Sequence, residues 1–420
     1  MDILDVHSPV RFDDSISNYE YHTYAPYNTT RFENNDEIRI GVQFNELNLL
    51  IAESSLRIRG RYVLKDDENT RAPEVSHKIN NNGILHMFEQ IRYELNGVEI
   101  ERCKKVGVST LMKGLVSMPN HKNDYLYNVG WIGLNEAGKT LSSSANGGFD
   151  INIPLKMIFG FAEDYKKIVI NCKHELILTR ANTDYNAYTQ PAGTAATATV
   201  AAVAETESKI IIDKIEWLIP HVQLSNEYKI LLLRNLNKTI KVPFRSFELY
   251  EIPMLPRANH HVWYLKTSSQ LEKPRYAIIG LQTNRNNNRN INSSHFDNCN
   301  LTNVKFYLNS MYYPYDNLNL DFDKNEYSLL YEMYCKFIKS YYGNEILDVG
   351  IGKGDFKNKA PLVVIDCSKQ NDSLKNAPVD VKIELSAKEN FPDNTAVYCL
   401  IIHDRIVEYN PITSEVKVAV

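Results

Sequence analysis

Ile91-Arg92-Tyr93-Glu94-Leu95-Asn96-Gly97 and, 213 residues later, Val304-Lys305-Phe306-Tyr307-Leu308-Asn309-Ser310 read alike: apolar residues at alternate positions, then an Asn-Gly or Asn-Ser pair. A period of two marks a strand with one buried face, and Asn-Gly marks a tight reversal. Each copy is followed by a helical stretch. The first is Val106 to Met118, stopped by Pro119. The second is Lys324 to Tyr342, where Tyr327, Leu330, Tyr331, Tyr334, Phe337, Ile338 and Tyr341 recur at three- and four-residue spacing before Gly343. Each helix leads to a Pro-Leu strand, Pro154-Leu155 and Pro361-Leu362, 207 residues apart. A further strand then reads Lys173-His174-Glu175-Leu176 or Lys382-Ile383-Glu384-Leu385, 209 residues apart. Three landmarks in one order at nearly one offset indicate a tandem duplication.

Outside the landmarks, Ser55 to Leu64, Ile168 to Thr179, Tyr276 to Thr283, Val379 to Leu385 and Thr395 to Tyr409 read as short strands broken by Asn, Asp, Gly and Pro. This is the pattern of an antiparallel all-β protein with a few helices. Lys209 to Val222 is the counterpart of Thr395 to Tyr409, which places a boundary near Leu224 to Tyr228. The expected division is an N-terminal arm over 1–30, a first domain over 31–224 and a second over 225–420. The Ala/Thr-rich stretch Tyr185 to Glu207 reads as a long surface loop of the first domain, since its small side chains cannot fill a core. Two many-stranded β-domains in tandem leave sandwiches or barrels, and jelly-roll β-sandwiches fit best.

Composition sets the outer limits. At 420 residues the chain exceeds the roughly 250 to 300 at which single cores stop growing, so two domains are expected. Lys and Arg number 47 against 51 Asp and Glu, a net charge of −4, which excludes a polycation built to coat phosphate backbones. Direct nucleic-acid binding is therefore not expected. No apolar run approaches the ~18 residues of a spanning helix, and Met1 to Asp14 lacks the basic and apolar regions of a secretory signal. The six cysteines, Cys103, Cys172, Cys299, Cys335, Cys367 and Cys399, are irregularly spaced with no CxxC pair. That suits reduced thiols of a protein made inside a cell rather than a disulfide or zinc framework. Asn-x-Ser/Thr triplets such as Asn28 to Thr30 and Asn237 to Thr239 are by-products of an Asn-rich chain.

Several motifs carry possible chemistry. Gly133-Leu134-Asn135-Glu136-Ala137-Gly138-Lys139-Thr140 satisfies the phosphate-loop pattern GxxxxGK[ST], which would use Lys139 and Thr140 on a nucleotide. Such a loop needs a buried strand before it and a helix after it, and Leu141 to Gly148 is poor helix material. A plain surface loop is the favoured reading. Asp321, Asp323, Asn325 and Glu332 imitate a calcium loop, but Glu326 stands where the turn needs Gly, so an acidic helix start with Asp323 near the cap is favoured. Cys172 and His174 share a strand face while His260 and His261 point to opposite faces, and no second pair completes a four-ligand metal site. Gly350-Ile351-Gly352-Lys353-Gly354 reads as a flexible loop after the helix. Cys399, His403 and Asp404 lie on one strand and cannot converge as a triad. Tyr312, Tyr313 and Tyr315 around Pro314, part of an excess of 26 tyrosines, suit either a core or a protein interface. No catalytic, cofactor or metal residue is assigned.

The runs Ile153-Pro154-Leu155-Lys156-Met157-Ile158-Phe159-Gly160-Phe161, Ile215-Glu216-Trp217-Leu218-Ile219-Pro220-His221-Val222, Lys273-Pro274-Arg275-Tyr276-Ala277-Ile278-Ile279-Gly280-Leu281-Gln282-Thr283, Leu308-Asn309-Ser310 with Tyr313-Pro314, and Ile365-Asp366-Cys367-Ser368-Lys369-Gln370 add a resemblance. From about residue 30 to about 410 the chain resembles the double jelly-roll major capsid proteins of Polinton (Maverick) elements and adintovirus-like DNA viruses. The resemblance implies two jelly rolls side by side, a homo-trimer with pseudo-hexameric outline, and trimers tiling an icosahedral virion shell beside penton and minor capsid proteins. The implied function is structural, without enzymatic activity. The alternatives are a phosphate-loop nucleotide hydrolase using residues 133–140 and a jelly-roll module that binds glycans through its loops.

Overall fold

The computed structural model describes residues 15–43, 48–66, 78–118, 123–134, 141, 146–190, 207–236, 239–265, 274–343, 349–369 and 379–419. Its principal strands fall into two series of eight. The first is β1 (Ile16–Tyr24), β2 (Glu37–Val42), β3 (Ser55–Leu64), β4 (Phe88–Leu95), β5 (Val98–Lys104), β6 (Gly148–Pro154), β7 (His174–Arg180) and β8 (Ser208–Leu224). The second is β9 (Ile240–Ile252), β10 (His260–Leu265), β11 (Pro274–Thr283), β12 (Leu301–Leu308), β13 (Met311–Tyr313), β14 (Val363–Asp366), β15 (Val381–Ala387) and β16 (Thr395–Asn410).

Each series builds the same pair of antiparallel sheets. The first has the strand orders β1-β8-β3-β6 and β2-β7-β4-β5, and the second has β9-β16-β11-β14 and β10-β15-β12-β13. Each strand of the first series thus has its counterpart eight places later, and the chain is two tandem jelly rolls. β1 lies within the stretch expected as an N-terminal arm, where it pairs with the C-terminal half of β8, Ile16 opposite Leu224 and Tyr24 opposite Trp217.

The opening motif does the same work in both copies. Asn96 and Asn309 have positive φ (49° and 53°), a conformation that Asn tolerates better than most residues. Each makes the same two hydrogen bonds to the residue just before the next strand of its sheet. The Asn96 amide donates to the Lys173 carbonyl (2.9 Å) and its side-chain oxygen accepts from the Lys173 amide (2.6 Å). Asn309 does the same with Asp380 (2.9 and 2.8 Å). Register agrees, since Leu176 lies opposite Tyr93 and Ile383 opposite Phe306. The true counterpart of Leu176 is therefore Ile383, two residues from the Leu385 that the Lys-x-Glu-Leu match suggests. A slip of two leaves every side chain on its proper face, so alternation cannot detect it. The Pro-Leu landmark identifies equivalent strands but opposite ends of them: Pro154 closes β6, whereas Pro361-Leu362 precedes β14.

Helix α1 (Val106–Ser117) follows β5, and the five-residue α2 (Gly160–Asp164) follows β6. Helix α3 (Asn226–Asn235) links the two series, and α4 (Ser328–Tyr342) and α5 (Lys353–Lys359) lie between β13 and β14. Helix α4 starts four residues later than the periodicity predicts. Residues 321 to 326 instead close a small hairpin, in which the Glu326 amide donates to the Asp321 carbonyl (2.8 Å) and Asn325 turns the chain with φ 59°. The expected strand Ile168 to Thr179 is broken at Asn171 (φ 53°) into a short piece, Val169–Ile170, and β7.

Residues Val106 to Val116 of α1 are buried throughout. The helix has jelly-roll strands on one side and, on the other, α4 and the sheet containing β11 and β16. Covered in this way, β16 is buried on both faces from Thr395 to His403. In the first jelly roll the inter-sheet core centres on Trp217, with the Tyr93 ring edge-on to it at 6.4 Å.

Candidate assembly surfaces

The described residues place most of the sequence motifs. Gly133 is a turn residue with φ 81°, and the Leu134 carbonyl accepts from Lys359 Nζ at 2.9 Å. Asn135 to Thr140, including Lys139 and Thr140, lie outside the described residues. What precedes Gly133 is a helical turn, Asn123–Asn128, and irregular chain, where a phosphate loop requires a strand. In the calcium-like segment, the carboxylates face lysines. Asp323 pairs with Lys388 (2.9 Å), Glu332 with Lys336 (2.5 Å), and Asp321 accepts from the Lys324 amide (3.1 Å). Asp323 does not cap the helix either, because α4 begins at Ser328 with Tyr327 at its N-cap and no side-chain cap. Among the described residues no three His, Cys, Asp or Glu converge as a metal set.

His174 is fully buried, and its Nδ1 is 2.8 Å from the Tyr93 hydroxyl. Burial pushes its imidazole down to about 3 and the Cys172 thiol up to about 11, so both are neutral core groups. His260 is exposed beside Ser386 (3.1 Å). Cys399 is buried, and Asp404 is held by Arg275 at 2.6 Å. The glycine run is more than a loop: Gly352 is the N-cap of α5, and Gly350 lies so close to the end of α1 that a β-carbon would stand 2.3 Å from the Met118 carbonyl.

The groups that do converge hold the two jelly rolls together, and sequence reading missed them. Glu101 of β5 is buried against α2, where one carboxylate oxygen accepts from the Gly160 amide (3.1 Å) and the other from the Phe161 amide (2.9 Å). The Ser246 hydroxyl of β9 donates to it from the second jelly roll at 3.0 Å. Burial outweighs these donors and raises the carboxyl to about 7. Beside it, Arg245 donates from its backbone amide (2.8 Å) and Nε (2.9 Å) to Asp164. Its guanidinium lies 3.7 Å from the centre of the Tyr341 ring. Asp164 is held below the usual carboxylate range by Arg245, against the cost of burial. Lys113 of α1 pairs with Glu163 at 2.5 Å, and the Tyr341 and Tyr342 hydroxyls donate to the same carboxylate, each at 2.8 Å. The one visible signal was Lys113, a charge inside an otherwise apolar helix.

A second stitch lies at the loops. Asn186 accepts from the Asn287 amide (2.7 Å), Gln190 donates to the Arg289 carbonyl (2.8 Å), and Ser294 donates to the Asn81 carbonyl (2.6 Å). The Asn-rich segment 284 to 300 is thus pinned to the first jelly roll. Of the Ala/Thr-rich stretch expected as a surface loop, Ala187, Tyr188 and Gln190 are instead buried, with Tyr188–Thr189 paired to Lys78–Ile79, and residues 191–206 lie outside the described residues.

The tyrosines divide between core and surface. Tyr313 is half-buried against the core, whereas Tyr312 and Tyr315 are 38% and 79% exposed and stack on each other at 5.8 Å. Register places Tyr264, Lys382, Tyr307 and Tyr312 side by side across β10, β15, β12 and β13. Lys382 Nζ lies 3.8 Å from the Tyr307 ring centre. Ile16, Tyr19 and Tyr21 form a second exposed group on β1. Clusters of this kind mark interaction surfaces. No helix among the described residues is long and apolar enough to cross a membrane.

The whole chain is similar in fold to capsid proteins. It covers 100% of itself and 91% of a chain in the Sputnik virophage structure (TM-score 0.63, 9% identity), and 99% of each chain against the PBCV-1 virus capsid (0.59, 9%). Against the mavirus major capsid protein it covers 99% of itself and 92% of that chain (0.56, 11%). No curated protein matches it in sequence. The double jelly roll-like domain family matches residues 77–407, most of the chain and strands of both series from β4 into β16, and the protein belongs to that family.

Proposed function

We propose that the chain is the major capsid protein of a DNA virus or element of the Polinton and adintovirus kind, assembling as homo-trimers of pseudo-hexameric outline that tile an icosahedral shell. The single observation that carries this is the joining of two equivalent jelly rolls along a buried seam, in a chain whose fold is similar over its full length to capsid proteins. Two matched domains give one chain two similar edges. Head-to-tail contacts between such chains form rings when the rotation between copies closes. The work of this protein is then self-association, with residues 31–224 joined by β1 and residues 225–420 as its two building units, and the virion as its location. Pentons, minor capsid proteins and neighbouring capsomers are its expected partners, and no catalytic step is assigned to it. Negative-stain microscopy of the purified protein tests the reading: particles with a six-lobed outline support it, and isolated two-lobed particles at all concentrations contradict it.

A further inference from the structure

Within one chain, the seam joins a particular pair of edges. On the first jelly roll it uses β5, the outer strand of its sheet, with α1 and α2 beside it. On the second it uses β9, the outer strand of the other sheet. Ser246 and Glu251 of β9 reach Glu101 of β5 and the adjoining Lys105 (3.0 and 2.8 Å), and the Phe244 ring lies edge-on to Phe161 at 5.4 Å.

The internal repeat gives each of these edges a counterpart. β5 of the first jelly roll corresponds to β13 of the second, and β9 of the second corresponds to β1 of the first. β13 hydrogen-bonds to β12 alone and β1 to β8 alone among the described strands, so each keeps a free edge. Both carry the exposed aromatic groups: Met311, Tyr312 and the adjoining Tyr315 at β13, and Ile16, Tyr19 and Tyr21 on β1. By contrast, neither β5 nor β9 has an exposed large apolar side chain. The edges used inside the chain are covered, and their equivalents are bare.

The charged groups at both edges have partners within the chain. On β1 the exposed Glu20 lies 3.4 Å from His22. On the β13 side Lys305 is buried with its Nζ donating to the Pro314 and Tyr315 carbonyls (2.9 and 2.7 Å) and Lys382 pairs with Glu384 (2.7 Å), so the exposed tyrosines carry the contact. Exposed strand edges are templates for association unless something covers them, and burying tyrosines is how protein interfaces are built.

We propose that the β13 edge of one copy docks against β1 of a second copy, reproducing between chains the contact that β5 and β9 make within one. The inference rests on the ring-forming capsid reading and names the surfaces that close the ring. A contact between two different edges is head-to-tail, and a rotation that closes at three copies leaves no edge unused.

The test uses the full-length chain in three forms: wild type, Tyr19→Ser/Tyr21→Ser, and Tyr312→Ser/Tyr315→Ser. All substitutions are at exposed positions, and circular dichroism and melting temperature report whether each variant folds as the wild type does. Light scattering should show a wild-type trimer and, for each folded variant, dissociation at concentrations about 100-fold higher than for the wild type. Separately, Tyr21→Cys/Tyr312→Cys treated with a bismaleimide spanning about 10 Å should give covalent trimers on a denaturing gel, while each single-cysteine variant gives only the wild-type background. A trimeric wild type whose two serine variants remain equally stable trimers overturns these surfaces while leaving the trimer intact. Dimers cross-linked from one single-cysteine variant would show a twofold contact and overturn the head-to-tail pairing. A monomeric wild type overturns the capsid reading and this inference together.

Discussion

A β-carbon on Gly160 would lie 1.6 Å from the carbonyl oxygen of Arg245, so the backbones of α2 and β9 touch where the two jelly rolls meet. Only a residue without a side chain permits this approach. Gly160→Ala must push the second jelly roll away, breaking the hydrogen bonds from Ser246 to Glu101 and from Arg245 to Asp164. A loss on the order of 3 kcal/mol is expected, visible as a fall in melting temperature. An unchanged melting temperature would show that the seam yields freely.

Glu101 makes the same seam sensitive to pH. Its carboxyl is raised from 4.5 to about 7 by burial, so the folded state holds the proton more tightly than the unfolded state. The stabilisation linked to this group is therefore complete below about pH 4.5, declines as pH rises and is gone above about 7. Glu101→Gln removes the titration. Chemical denaturation at pH 5 and pH 8 should show the stability difference between variant and wild type moving in favour of the variant by about 3 kcal/mol across that interval. A constant difference would mean that Glu101 does not titrate there.

The duplicated turn predicts paired effects. Asn96→Ala and Asn309→Ala each remove the side-chain acceptor for the following strand and place alanine at positive φ. Each should cost about 2 kcal/mol, and because the two turns lie in different jelly rolls the double substitution should cost their sum. Very unequal losses would indicate that the copies no longer use the motif alike.

For the phosphate-like loop, isothermal calorimetry with millimolar ATP should show no saturable binding, and Lys139→Ala should leave the oligomeric mass unchanged. Micromolar affinity abolished by that substitution would restore the hydrolase reading.

The duplication was legible because its landmarks are strands and turns, whose alternation and Asn pairs are written locally. Ser55 to Leu64 matches β3 to the residue for this reason. The two-residue offset at Leu176 was not legible, since a strand shifted by two keeps its pattern. The late start of α4 was hidden because Tyr327 continues the helical spacing while the Asp321 and Glu326 backbones pair outside it. Least visible was the seam. Glu101 and Arg245 sit on alternating strands among polar neighbours, where a charge reads as solvated, and only the meeting of segments some 140 residues apart makes them interior groups. The surface tyrosines were ambiguous for a related reason: Tyr312 and Tyr313 differ only by which face of β13 each occupies.

Self-association is the central property of this chain, and light scattering coupled to size exclusion measures it directly. With 48.3 kDa per chain, three copies give about 145 kDa, the mass expected across the accessible concentration range. A single peak at the mass of one chain, independent of concentration, would contradict it.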